Sequence, residues 1–116
     1  MSDLDVKIQD VANYWDYNMP MMAVEECGEV IQAISKVERA IGVKMAALKK
    51  VMITNDENDD KALMLASQNI DKRKEELKDE IRDVYISLRA LMYYYNIEDD
   101  IMERVEKKLN KKYKED

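Results

Sequence analysis

The sequence predicts an all-α fold, a bundle of four or five helices, and three observations carry that expectation. Only two Gly and one Pro interrupt 116 residues, too few turn-formers for an all-β chain. Ala, Leu, Met, Glu and Lys are abundant, and these residues have the strongest intrinsic preference for helix. Apolar side chains also recur at alternating spacings of three and four along most of the chain. The length suits one domain spanning 1–116. A chain this short buries a limited core, so association with further copies is expected to complete the bundle.

The elements follow in order. Ser2 is placed to cap a first helix from Asp3 to about Tyr17, striped by Leu4, Ile8, Val11 and Trp15. Asn18-Met19-Pro20 reads as a break, with Pro20 in the first turn of the next helix, where its missing N–H costs nothing. A second helix is expected to about Ala40, on the seam Ala23, Cys27, Val30, Ile34 and Val37. Gly42 is a candidate stop or kink, and Val43 to Ile53 reads as a short helix or a continuation. Thr54 to Asp60 is polar and acidic and reads as a loop. Helix resumes near Lys61, with a break expected around Asn69-Ile70-Asp71, and the next seam is Leu77, Ile81, Val84, Leu88, Leu91 and Tyr95. Asn96 is a C-terminal stop, and Glu98 or Asp99 opens a last helix carrying Ile101, Val105, Leu109 and Tyr113. The nine Met residues read as core filler or as apolar surface between subunits.

The bulk properties exclude several function classes. A net charge of −6 argues against general nucleic-acid binding, which needs a basic face. The single Cys27 forms no intramolecular disulfide. No apolar run approaches the roughly 18 residues of a membrane span. Met1-Ser2-Asp3-Leu4-Asp5 lacks the basic and apolar regions of a signal peptide, so a cytoplasmic protein is expected.

Two acidic motifs carry the chemistry: Glu25-Glu26-Cys27-Gly28-Glu29 and Glu80-Ile81-Arg82-Asp83. Side chains three apart share a helix face. Measured from the apolar seam of each helix, Glu26 and Glu80 lie roughly 60° to one side, and Glu29 and Asp83 roughly 120° to the same side. Glu25 points away from the seam. Taken singly, either motif reads as a solvated acidic face. The matched offsets on two helices instead predict that Glu26, Glu29, Glu80 and Asp83 converge, and such a cage repels itself unless a cation fills it. The chain has no His, which removes the Glu-x-x-His pattern of carboxylate-bridged iron bundles and the His-rich zinc sites. All-oxygen ligands suit Mg²⁺, with Mn²⁺ as a substitute. Mg²⁺ held by a few carboxylates leaves positions for water and phosphate, which points to phosphate-ester or phosphoanhydride chemistry.

Met22 to Lys36, with EExxE followed by an apolar run and Lys, resembles the first segment of MazG-type proteins, and Glu80-Ile81-Arg82-Asp83-Val84 resembles its ExxD partner. The resemblance is to the superfamily of all-α nucleoside triphosphate pyrophosphohydrolases and covers most of the chain in helix order. It implies a MazG-like bundle assembled as a homodimer or homotetramer. It also implies Mg²⁺-dependent hydrolysis of an NTP or dNTP to the monophosphate and pyrophosphate, with Glu26, Glu29, Glu80 and Asp83 as metal ligands. Glu25 matches the first Glu of the motif. The stretch from Ile41 to Glu76 departs from compact members and reads as an inserted helix pair. The basic C-terminal cluster of Arg104, Lys107, Lys108, Lys111 and Lys112 matches in character only.

In this reading Glu26 or Glu29 accepts a proton from the attacking water. Lys36 and Lys108 are candidates for phosphate contacts. Trp15 is a candidate for stacking on a base, and Gln9, Asn13 and Asn18 for reading its edge. Tyr93, Tyr94 and Tyr95 are expected to place at least one ring in the core. The competing expectation is a non-catalytic acidic helical module for protein interaction, with the carboxylates as surface charge.

Overall fold

The computed structural model describes residues 2–54 and 56–113, and side chains as far as Lys111. Helix α1 spans Asp3–Trp15, a 3₁₀ turn spans Asp16–Asn18, α2 spans Met19–Thr54, α3 spans Glu57–Tyr95 and α4 spans Glu98–Tyr113. The described residues contain no strand, so the fold is all-α. No helix is long and apolar enough to cross a membrane.

The helix ends follow from local chemistry. Ser2 and Asp5 form a capping box: the Ser2 hydroxyl accepts from the Asp5 N–H at 3.1 Å, and the Asp5 carboxylate accepts from the Ser2 N–H at 3.2 Å. The first helix stops at Trp15, two residues short of the expectation, because Asp16 leaves the helical region with φ 49° and ψ −127°. A side chain with a Cβ holds that conformation at a cost of about 1–3 kcal/mol. At the other end of α3, Asn96 adopts φ 56°, Asn96 N–H donates to Tyr93 C=O and Ile97 N–H donates to Met92 C=O. That pair of bonds is the Schellman arrangement, with Asn in the left-handed position it tolerates.

Two expected interruptions are absent and a third is shortened. Gly42 lies inside one continuous α2 and has no positive φ, so the helix does not stop there, and Val43 to Ile53 is the continuation that the sequence offered as one of two readings. Asn69-Ile70-Asp71 lies inside a continuous α3, where burial of Ile70 outweighs the weak helix preference of its neighbours. The Thr54 to Asp60 loop shrinks to its centre: α2 runs through Thr54 and α3 starts at Glu57, while Asn55 lies outside the described residues. Asp56 accepts from the Asn58 N–H at 3.0 Å, and Glu57, Asp59 and Asp60 fill the first turn, where carboxylates favour the helix dipole. Polar composition signals a helix start here. The Ile41 to Glu76 stretch forms no separate helices; apart from the turn between them it is the far half of α2 and α3 themselves.

The chain forms two compact units. The first comprises Met1–Val24 and Tyr85–Asp116. Its core is Ile8, Ala12, Met19 and Ala90, with Val11, Trp15, Met22, Leu91 and Tyr93 packed against it. Met19 is fully buried, whereas Met21 and Met102 are more than half exposed, so filling the core is the role of only some methionines. Along α4, Val105 and Leu109 are exposed, and the Lys112 and Tyr113 side chains lie outside the described residues. Arg89 ties three elements of this unit together. One guanidinium nitrogen donates to Asp5 at 2.7 Å and to Glu98 at 3.3 Å, and Tyr93 OH donates to the same Glu98 oxygen at 3.2 Å. The guanidinium also lies 5.9 Å from the ring centroids of Tyr85 and Tyr93.

The second unit, Glu25–Val84, is an antiparallel hairpin of α2 and α3. Residue numbers rise along one helix as they fall along the other: Glu26 faces Glu80 and Asp83, and Arg39 shares a cleft with Asn69 and Arg73. The seam on α2 is Glu26, Val30, Ala33, Val37 and Ala40; on α3 it is Ala66, Ile70, Arg73, Leu77, Glu80 and Val84. Alternating steps of three and four are preserved, but each seam is rotated from the one expected. Ile34 and Ile81, placed at the centre by the sequence, are 47% and 49% exposed. Short alanines permit close helix approach, so the alanine-lined faces turn inward and the larger aliphatic side chains are left at the edges.

The fold yields two predictions. Met19→Ala should destabilise the first unit by about 2–5 kcal/mol, measured by denaturant unfolding followed through Trp15 fluorescence. Arg89, with help from Ser2, holds the Asp5 carboxyl down at about 2. A depressed folded-state pKa contributes stability that is complete above the ordinary value of 3.8 and is lost as pH falls toward 2. Asp5→Asn should remove that portion of the acid transition while leaving the rest of the pH profile in place.

Candidate metal centre

Three carboxylates converge on the hairpin. Oxygens of Glu26, Glu80 and Asp83 all lie within 4.8 Å of one another, and all three residues are half-buried. Helix periodicity explains the grouping: Glu80 and Asp83 are one turn apart on α3, and Glu26 occupies the seam position of α2 opposite them. Glu29 is exposed at the margin, one turn beyond Glu26, with its carboxylate beside that of Glu80. Glu25 is exposed, as its outward direction on the wheel required.

The sequence placed Glu26 and Glu80 at the flank of their seams, and the structure moves both inward. The consequence is electrostatic. Oε2 of Glu26 and Oε2 of Glu80 are each buried from solvent with no hydrogen-bond partner among the described residues. An unpaired buried carboxylate oxygen is among the least favourable polar groups a fold can hold. Burial pushes the Glu80 carboxyl above its ordinary range, and the neighbouring Glu29, Asp83 and Asp79 carboxylates push it further in the same direction. Arg82 offers partial relief at the rim: it donates to Asp83 at 3.0 Å and to Asp79 at 3.4 Å. No cation reaches the two orphaned oxygens among the described residues. A divalent ion fits this donor set, since it bonds to oxygen alone, satisfies several carboxylates together and offsets their mutual repulsion.

The other candidates are dispersed. Lys36 lines a separate cleft of about 320 Å³ further along the hairpin with Arg39, Asn69 and Arg73. Trp15 belongs to the first unit, half-buried against its core and edge-on to Tyr14 at 5.2 Å between centroids, so it is a packing residue. Asn13 is exposed on α1 of that unit and borders a cleft with Gln9; Asn18 is exposed and does not line it. Tyr93 packs on the core as expected of one ring of the triplet. Lys108 is exposed on α4, as are Arg104, Lys107 and Lys111. Sequence reasoning missed Arg89 and its partner Asp5, which are 84 residues apart and share no local pattern.

No protein family model, curated protein or solved structure matches this chain.

The orphaned oxygens predict how the hairpin responds to pH and to metal. A carboxyl with a raised folded-state pKa favours the folded state below that value, so stability of the hairpin in EDTA should rise as pH falls through Glu80's elevated pKa toward its ordinary 4.5. This sign is opposite to that of Asp5. Glu80→Gln should melt a few degrees higher than the parent in EDTA at neutral pH. The same substitution should forfeit most of the Mg²⁺ stabilisation, which for the parent is about 2.7 kcal/mol when the ion is at roughly 100 times its Kd.

Proposed function

We propose that the hairpin holds Mg²⁺ and hydrolyses a nucleoside triphosphate to the monophosphate and pyrophosphate, as its resemblance to MazG-type pyrophosphohydrolases implies. The observation that carries the reading is the pair of buried, unpartnered oxygens on Glu26 and Glu80, with Asp83 in reach of both. Glu26, Glu80 and Asp83 would hold the ion, with Glu29 adjoining them. The ion, when bound, offsets phosphate charge and makes a coordinated water more acidic.

The chain's own groups divide the remaining work. Glu29 is exposed at the edge of the cluster, beside the crowded Glu80. That position suits it to take a proton from water attacking the α-phosphorus, and it is the better choice over Glu26, whose oxygen is sealed in the seam. Arg82 holds Asp83 from the outer side and fixes its direction. Lys36 and Arg39 lie about two to three turns beyond Glu29 on the same helix. They are the nearest cations further along α2 that suit a phosphate tail.

A second reading is favoured by exposed apolar side chains on this hairpin. Ile31, Ile34, Val43, Met45, Leu65 and Ile81 are all between 47% and 63% exposed. These suit either a homodimer or homotetramer, in line with the resemblance, or an interaction module that does no chemistry.

The enzyme reading predicts pyrophosphate release from at least one standard NTP or dNTP in the presence of Mg²⁺. Glu29→Gln and Asp83→Asn should each lower kcat by about 100-fold or more while the helical circular dichroism is retained. Release from none of the nucleotides by the folded protein would leave the interaction module as the reading.

A further inference from the structure

A cleft of about 420 Å³ in the first unit brings together Gln9 and Asn13 from α1, Asp16 from the 3₁₀ turn, Tyr93 and Tyr94 from α3, and Asn96 after it. Its volume is in the range of small-molecule sites. The lining is chemically selective. Three carboxamide residues, Gln9, Asn13 and Asn96, border it, each carrying a donor and an acceptor. None of the three has a side-chain hydrogen bond within the unit among the described residues, although Tyr93 beside them is fully engaged by Arg89 and Glu98. Tyr94 borders the same space with 36% of its surface exposed. No Lys or Arg among the described residues lines the cleft, so its described lining does not suit a phosphate.

Backbone geometry adds an independent observation. Among the described residues, the positive-φ positions other than glycine are Asp16 and Asn96, and both line this one cleft. Asn96 is accounted for by its helix-ending role. Asp16 also ends a helix, its N–H donating to the Ala12 C=O, but its ψ of −127° lies outside the left-handed helical region that Asp tolerates. Glycine would hold that position freely. The strained backbone carries a carboxylate at the wall of a cleft whose other polar groups are all neutral.

We propose that this cleft binds a nucleobase bearing an exocyclic amino group. Carboxamides pair with heterocycle edges through adjacent donor and acceptor atoms, as Asn and Gln pair with adenine. The Asp16 carboxylate only accepts, so it favours an amino edge and repels a carbonyl edge of the uracil type. Tyr94 supplies a ring for the face of the base. The inference rests on the nucleotide reading for its choice of heterocycle, and it needs no metal and no phosphate.

The test uses nucleosides, which carry no phosphate, titrated into the full chain in EDTA and followed by amide chemical shifts. Cytidine and adenosine should bind at least about tenfold more tightly than uridine, with shifts at Asn13, Asp16 and Asn96. Asn13→Ala, on an exposed helical face, should weaken binding about tenfold with no loss of thermal stability. Asp16→Gly should raise the melting temperature, by removing the strain, and erase the preference for the amino-bearing bases. Binding by none of the nucleosides at ~10 mM, equal binding of uridine, or an Asp16→Gly variant that keeps the preference would each overturn the assignment. Pyrophosphate release from nucleotides is read separately, so loss of that activity reading leaves this outcome intact.

Discussion

The hairpin depends on a conflict built into its seam. Ala33 and Ala40 on one helix, with Ala66 and Ile70 on the other, are buried and draw the helices together. At the same seam spacing the chain places Glu26 and Glu80, where a Val or Leu would continue the packing. One oxygen of each carboxylate is then sealed without a partner among the described residues. Two ways of relieving the conflict are open to the protein: a shared proton or a bound cation. The elevated Glu80 pKa is the first. A divalent ion would be the second, and the two would compete for the same oxygens.

The first unit shows how the same chain treats acids that serve structure. Asp5 and Glu98 converge on Arg89, Tyr93 contributes its hydroxyl to Glu98, and Asp5 is held ionised. Each of these carboxylates has a guanidinium partner within the unit, and the result links α1, α3 and α4. In the hairpin the only nearby guanidinium, Arg82, reaches Asp83 and Asp79 but leaves the sealed oxygens alone. An acidic composition with net charge −6 explains neither arrangement. The contrast is that the sealed oxygens of Glu26 and Glu80, among the described residues, lack the basic partner that the Asp5 and Glu98 pair has.

Much of this was legible from spacing. The all-α class, the Ser2 cap, the Asn96 stop and the convergence of three of the four acids follow from periodicity and end chemistry, which act within a few residues. What failed shares one cause. The break at Asn69 to Asp71, the stop at Gly42 and the choice of Ile34 and Ile81 as seam centres all weighed local preference or side-chain size, while the hairpin is decided by which faces approach most closely. A small residue looks neutral on a helical wheel, yet Ala33, Ala40 and Ala66 determine the inward direction. That rotation converts Glu26 and Glu80 from flanking charges into buried ones. The Arg89 tie was illegible for a different reason: its partner Asp5 is distant in sequence, and no short pattern relates them.

The rotation also sets what the outer faces must do. Ile31 and Ile34 on α2 and Ile81 on α3 follow helical spacing, yet solvent reaches about half of each or more. Isolated exposed aliphatics are ordinary. Here they stand beside a seam that already holds the hairpin together, so hairpin formation alone does not account for their periodicity. Apolar surface removed from water contributes roughly 25 cal/mol per Å². A covering layer on this stripe would therefore stabilise the hairpin without touching the orphaned oxygens, which no apolar partner satisfies. Covering the stripe and neutralising the acids are separate requirements of the same two helices, and the proposed assembly and the proposed metal answer one each.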